Sequence, residues 1–215
     1  MIRSTLRRST LPAALLTLTL AACGGSNDSS SPSSGVPGRD TSSMPTSSAS
    51  PSTVGTPATG EHNDADVAFA TGMIPHHGQA VTMAQMATAT AANAEVKKLA
   101  STIKAAQIPE ITRMSGWLTG WGQPIPSSTS SMGGVDMGDG MMTDDDLKEL
   151  GGATGTAFDR MWLQMMIKHH QGAIRMATTE LKTGTNPDAR QLAQNIITSQ
   201  TSEITRMKKL EATLG

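Results

Sequence analysis

Met73-Ile74-Pro75-His76-His77 and Met166-Ile167-Lys168-His169-His170 are two settings of one phrase, ninety-three positions apart. The copy extends well past the histidines. Residues 66–122 align with 159–215 at that offset without a gap, and 20 of the 57 positions are identical, among them Asp66/Asp159, Asn93/Asn186, Leu99/Leu192, Gln107/Gln200 and the runs 110–114 and 203–207. A period this long describes two copies of one unit that must cover its apolar face with a partner, not a many-repeat solenoid.

In the first copy Phe69, Met73, Ala80, Met83, Ala84 and Ala87 recur at steps of three and four, which predicts an amphipathic helix over 64–92. Asn63 or Asp64 would cap it, with Asp66 in the first turn where the helix dipole favours negative charge. The stripe Val96, Leu99, Ala100, Ile103, Ile111, Met114, Leu118 predicts a second helix over 94–121. The turn between them is too short for anything but an antiparallel hairpin. The second copy repeats the plan over 158–182 and 187–214, with Pro187 suited to a first helical position. Two hairpins, each with a one-sided apolar face, give the expected fold: all-α, an antiparallel four-helix bundle. Pro75 should remove a backbone hydrogen bond and bend the first helix.

The ends divide differently. Arg3, Arg7 and Arg8, the apolar stretch 11–20 and the small residues before Cys23 have the parts of a secretory signal over 1–22. Leu20-Ala21-Ala22-Cys23 resembles a bacterial lipobox, which implies lipidation of Cys23 and a protein held on the outer face of the membrane by lipid alone. Residues 23–60 are rich in Ser, Pro, Thr and Gly and read as a flexible tether. The hairpins would occupy 61–122 and 158–215. Between them, 123–157 is a Met/Gly-rich connector with Met132, Met137, Met141 and Met142, followed by a short helix capped by Thr143 and ending near Leu150.

Composition excludes several classes. A single cysteine rules out internal disulfides and multi-thiolate metal sites. Removal of 1–22 takes three of the 17 basic residues and no acids, leaving 14 against 18 and a net charge near −4. With aromatics at 2% and no basic stripe, nucleic acid is not an expected partner. Most serines lie in tether and connector with no base placed to activate them, so no enzyme activity is expected.

His76, His77, His169 and His170 straddle the buried face of their helices, flanked by Met73, Met83, Met166 and Met176. If the first turn is centred near residue 92, His77 lies beside Gln107 and Met73 beside Ile111; the offset places His170 beside Gln200. Gln107, Glu110 and Met114 share a helical face, as do Gln200, Glu203 and Met207. Imidazole with thioether favours copper, Cu(I) through sulfur and Cu(II) through nitrogen, with zinc as the alternative. Gln107, Gln200, Glu110, Glu203, Met114, Met207, Asp66 and Asp159 are candidates for supporting or additional ligands, and the connector methionines for a capture arm. A structural reading competes: a polar layer whose histidines bond to glutamine and backbone.

The strings Asp66-x-x-Phe69-x-x-x-Met73-Ile74-Pro75-His76-His77-x-x-Ala80 and Gly155-x-x-Phe158-Asp159-x-x-Trp162-x-x-x-Met166-Ile167-x-His169-His170-Gln171-Gly172-Ala173 resemble the CopM-like family, catalogued as domain of unknown function 305. The resemblance spans about 62–215. It implies an exported protein with a ferritin-like bundle and a role in copper binding or copper resistance; a copper-delivery protein or a second copy is the partner such a role would call for. One departure is visible: Gly78-Gln79 in the first copy stands against Gln171-Gly172 in the second. Two other functions remain in view, a ferritin-like metal oxidase and a structural or interaction lipoprotein. The oxidase is disfavoured because its di-iron centre uses Glu-x-x-His pairs and none occurs here.

Overall fold

The computed structural model describes residues 60–127 and 140–214. The expected signal, the lipid site Cys23, the tether up to 59 and the connector methionines Met132 and Met137 lie outside the described residues. Helix α1 spans Asp64–Thr90, α2 Ala94–Gly120, α3 Asp144–Gly152, α4 Gly155–Thr183 and α5 Pro187–Thr213. The protein is all-α, with no strand among the described residues. No described helix is long and apolar enough to cross a membrane.

Four of the five starts carry a side-chain cap. Asn63 accepts from the amides of Ala65 and Asp66, while the Asp66 carboxylate accepts from the Asn63 amide, a reciprocal cap. Asn93 and Asn186 cap α2 and α5, and Thr143 with Asp146 forms the same reciprocal cap on α3. Helix α1 runs on through Pro75, and α2 through Pro109. Helix α4 begins at Gly155, three residues before the expected 158, because an exposed half-turn precedes the first buried residue, Phe158.

The hairpins pack head to tail. The start of α1 lies against the α4–α5 turn, where Asp66 accepts from the amides of Thr185 (3.1 Å) and Asn186 (2.9 Å). Its repeat mate Asp159 reaches the α1–α2 turn and accepts from Ala92 (3.0 Å) and Asn93 (2.8 Å). Each hairpin thus clasps the other's turn with the same residue, the mark of a pseudo-two-fold axis. The outer helices α2 and α5 obey it too: Glu95–Arg206 (2.9 Å) and Asp188–Arg113 (3.8 Å) exchange places under the ninety-three-residue shift.

The core falls into two apolar clusters. One gathers Ala87, Val96, Leu99 and Ile103 from the tip of the first hairpin with Phe158, Trp162, Leu163 and Met166 from the open end of the second. The other gathers Ala177, Ala189, Leu192 and Ile196 with Phe69, Met73, Trp117 and Leu118. Between them lies a polar level: His76, His77, Gln107, His169, His170 and Gln200, none more than 3% exposed.

Candidate metal centre

Helices α1 and α4 bring the doublets together because they run antiparallel with His76 and His169 on the shared face. Those two rings meet on the pseudo-two-fold axis with centroids 3.8 Å apart and a tilt of 41°. The second histidine of each doublet turns toward its own hairpin. His77 Nε2 lies 2.6 Å from Glu110 Oε2, and His170 Nε2 lies 2.8 Å from Glu203 Oε2. A carboxylate accepts from an Nε2–H, and in the neutral form of such an imidazole Nδ1 carries the lone pair.

Nδ1 of His77 and of His170 is buried with no hydrogen-bond partner, and so are Oε1 of Gln107 and Gln200. An unpartnered buried acceptor costs about 1–3 kcal/mol, and such atoms in a native core call for an explanation. A carboxylate holding one imidazole nitrogen while the other stays a bare donor is the arrangement that supports metal-ligating histidines. Burial, and then the neighbouring imidazoles His76, His170 and His77, push His169 well below the usual histidine range, so it is neutral and competent to donate a lone pair at pH 7.

The expected register needs one correction. His77 contacts Glu110, not Gln107, although Gln107 is buried at the same level. Side chains lean toward the start of their own helix. In an antiparallel pair the lean of His77 carries it away from the turn, and that of Glu110 carries it back toward the turn, so residues about one helical turn out of level meet.

The methionines are shared between the apolar clusters. Met83, Met166 and Met207 belong to the first, Met73 and Met114 to the second, and Met176 packs on the second from a half-buried position. Thioether-bearing core thus lies on both sides of the imidazole level. Asp66 and Asp159 leave the candidate ligand set: both are taken up by turn amides, about three helical turns from the histidines. Among the described residues no three His, Cys, Asp or Glu side chains are already gathered as for a metal ion.

Two features escaped the sequence reading. Glu180 replaces Ala87 of the first copy, is 1% exposed, and lies close enough to Asp66 to feel its charge. Burial first, and then Asp66, push its carboxyl up to about 8. The signal was a carboxylate at the step after Ala173 and Ala177 on an apolar stripe. The fifth histidine, His62, stacks on Trp121 at 4.6 Å where the folded chain begins.

A family profile for a domain of unknown function, DUF305, matches residues 66–211. The chain belongs to the DUF305 family. Among solved structures, a DUF305 protein from Streptomyces coelicolor labelled as secreted is 36% identical, with a TM-score of 0.64 over 70% of this chain and 94% of that one. CopM in its Cu(II)-bound form is 36% identical, with a TM-score of 0.62 over 70% of this chain and 97% of CopM. CopM is also solved in Cu(I)-bound, Ag-bound and apo forms. A DUF305 fragment from Deinococcus radiodurans is 27% identical at a TM-score of 0.65, over 72% and 99% of the two chains. No curated protein matches the chain.

Proposed function

We propose that this DUF305 protein binds copper at the buried imidazole level and sequesters it or passes it on, without catalytic turnover, from an exported position anchored through Cys23. The observation that carries the reading is the pair of short His–Glu contacts, each leaving an orphaned Nδ1 in the core. Copper-bound forms of the similar CopM support the choice of ion. The ligand supply supports it as well: two-coordinate Cu(I) accepts a pair of nitrogen or sulfur donors, whereas structural zinc needs four ligands. His76, His77, His169 and His170 would be the nitrogen donors, with the sulfurs of Met73 and Met166, one helical turn away, the nearest thioethers along the helices.

The test is Cu(I) uptake by the full chain with His77→Gln and His170→Gln combined. Glutamine keeps an N–H for Glu110 and Glu203 but removes the Nδ1 lone pair. Affinity should fall by more than about tenfold with the helical content intact. Unchanged affinity rejects the imidazole level as the site.

A further inference from the structure

Positions 79 and 172 are repeat mates, yet one is glutamine and the other glycine. Both touch the connector. The Gln79 side chain donates to the Met142 carbonyl (2.8 Å) and accepts from the Met142 amide (2.7 Å), gripping both backbone polar groups of one residue. Two residues earlier Gly140, at φ 88°, lies so close to α4 that a Cβ there would be 2.5 Å from the Lys168 carbonyl oxygen and 3.2 Å from Cα and N of Gly172. Lys168 precedes His169 by one residue, and Gln79 follows His76 by three. Residues 140–142 therefore lie against α1 and α4 at the histidine level. They are held from beyond as well: Met142 is buried in the first apolar cluster and Thr143 caps α3, whose Leu150 enters the same cluster.

The second copy has no such grip. Gln171, mate of Gly78, is exposed. The inversion of Gly78-Gln79 against Gln171-Gly172 thus converts a symmetric pair of positions into a two-part seat: an amide clamp on α1, and a bare stretch of backbone on α4.

The geometry points to a latch: Gln79 and the Gly140–Gly172 contact hold the end of the connector against the bundle beside the imidazoles, and set how fast an ion enters or leaves the centre. This rests on the copper reading above. His76 and His169 are 2% and 1% exposed, so ion exchange requires some part of the surrounding wall to move. Most of that wall is continuous helix; the connector peptide is joined to α1 here by two hydrogen bonds from one side chain. Loss of two such bonds corresponds to about a tenfold change in an opening equilibrium.

The experiment loads the full chain with Cu(I) and follows transfer to excess bathocuproine disulfonate by its absorbance. Gln79→Ala should release the ion about tenfold faster than the unaltered chain, and Gly140→Ala, which has neither the room nor the backbone freedom to seat, should also accelerate release. Gln171→Ala should release at the unaltered rate. Should Gln79→Ala fail to fold by circular dichroism, Gly140→Ala decides, since it lies outside the four long helices. Unchanged rates in the folded latch variants, or equal acceleration by Gln171→Ala, overturn the latch and leave the copper reading standing. A chain that takes up no Cu(I) at all overturns both.

Discussion

Hairpin α1–α2 and hairpin α4–α5 agree at the histidine level and its supports, and diverge at positions around it, buried Phe69/Trp162 and Ala70/Leu163 among them. The shared set is the axis and its supports: His76/His169, His77/His170, Glu110/Glu203, Gln107/Gln200 and the clasps Asp66/Asp159. Part of the divergent set has separate neighbours. Gln79/Gly172 meet the connector, Trp121/Leu214 meet His62 or the chain end, and Glu180/Ala87 sit beneath the two clasps. Duplication supplies two equivalent surfaces, and anything that binds off the axis removes the equivalence.

The clasps offer the most direct test. Asp159→Ala strips the amides of Ala92 and Asn93 of their buried acceptor and should cost about 3 kcal/mol in urea unfolding. Asp66→Ala should cost less, because the freed carboxyl of Glu180 can ionise and take over as acceptor. Equal costs would mean that Glu180 plays no part in the clasp.

Next comes pH. Glu180 has a folded pKa raised from 4.5 to about 8, so its contribution to stability is complete below about pH 4.5 and is lost as pH rises through 8. Between those limits stability should decline by about 1.4 kcal/mol per pH unit from this group. Glu180→Ala, which copies Ala87, should flatten that decline in denaturation curves taken at several pH values. A slope that survives the substitution would assign it to other groups. Asp66 behaves oppositely: burial opposes ionisation, but the amides of Asn63, Asn186 and Thr185 outweigh it and lower its pKa.

The smallest effect concerns the outer seam. Glu95–Arg206 and Asp188–Arg113 are repeat mates, 2.9 and 3.8 Å long and largely exposed. Glu95→Gln should cost no more than about 0.5 kcal/mol at low salt, Asp188→Asn less, and both should vanish at high salt. A larger cost from Asp188→Asn would contradict the distances.

The fold was legible because a gap-free repeat carries its own partner. Period-3.6 stripes gave the four long helices, Asn63 and Pro187 marked the starts of two of them, and Thr143 marked the short α3. The histidine level was legible too, since the turn near 92 set its depth. What escaped depends on directions that spacing does not encode. The lean of side chains moved His77 from Gln107 to Glu110, and the antiparallel docking that turned Asp66 and Asp159 into clasps follows from how two hairpins meet. Gln79 looked like a scrambled motif until the peptide it holds was in place. The buried methionines could not be divided between filler and ligand on spacing alone, because the stripe that packs a core is the stripe that would present sulfur.

The contact of His76 with His169 has a last consequence. The centre lies on the boundary between repeats, so neither hairpin owns it, and an ancestral single hairpin would have formed it only by meeting another molecule of itself. Fusion replaced that encounter with a tethered one at high effective concentration, and freed the joining segment to acquire a task of its own.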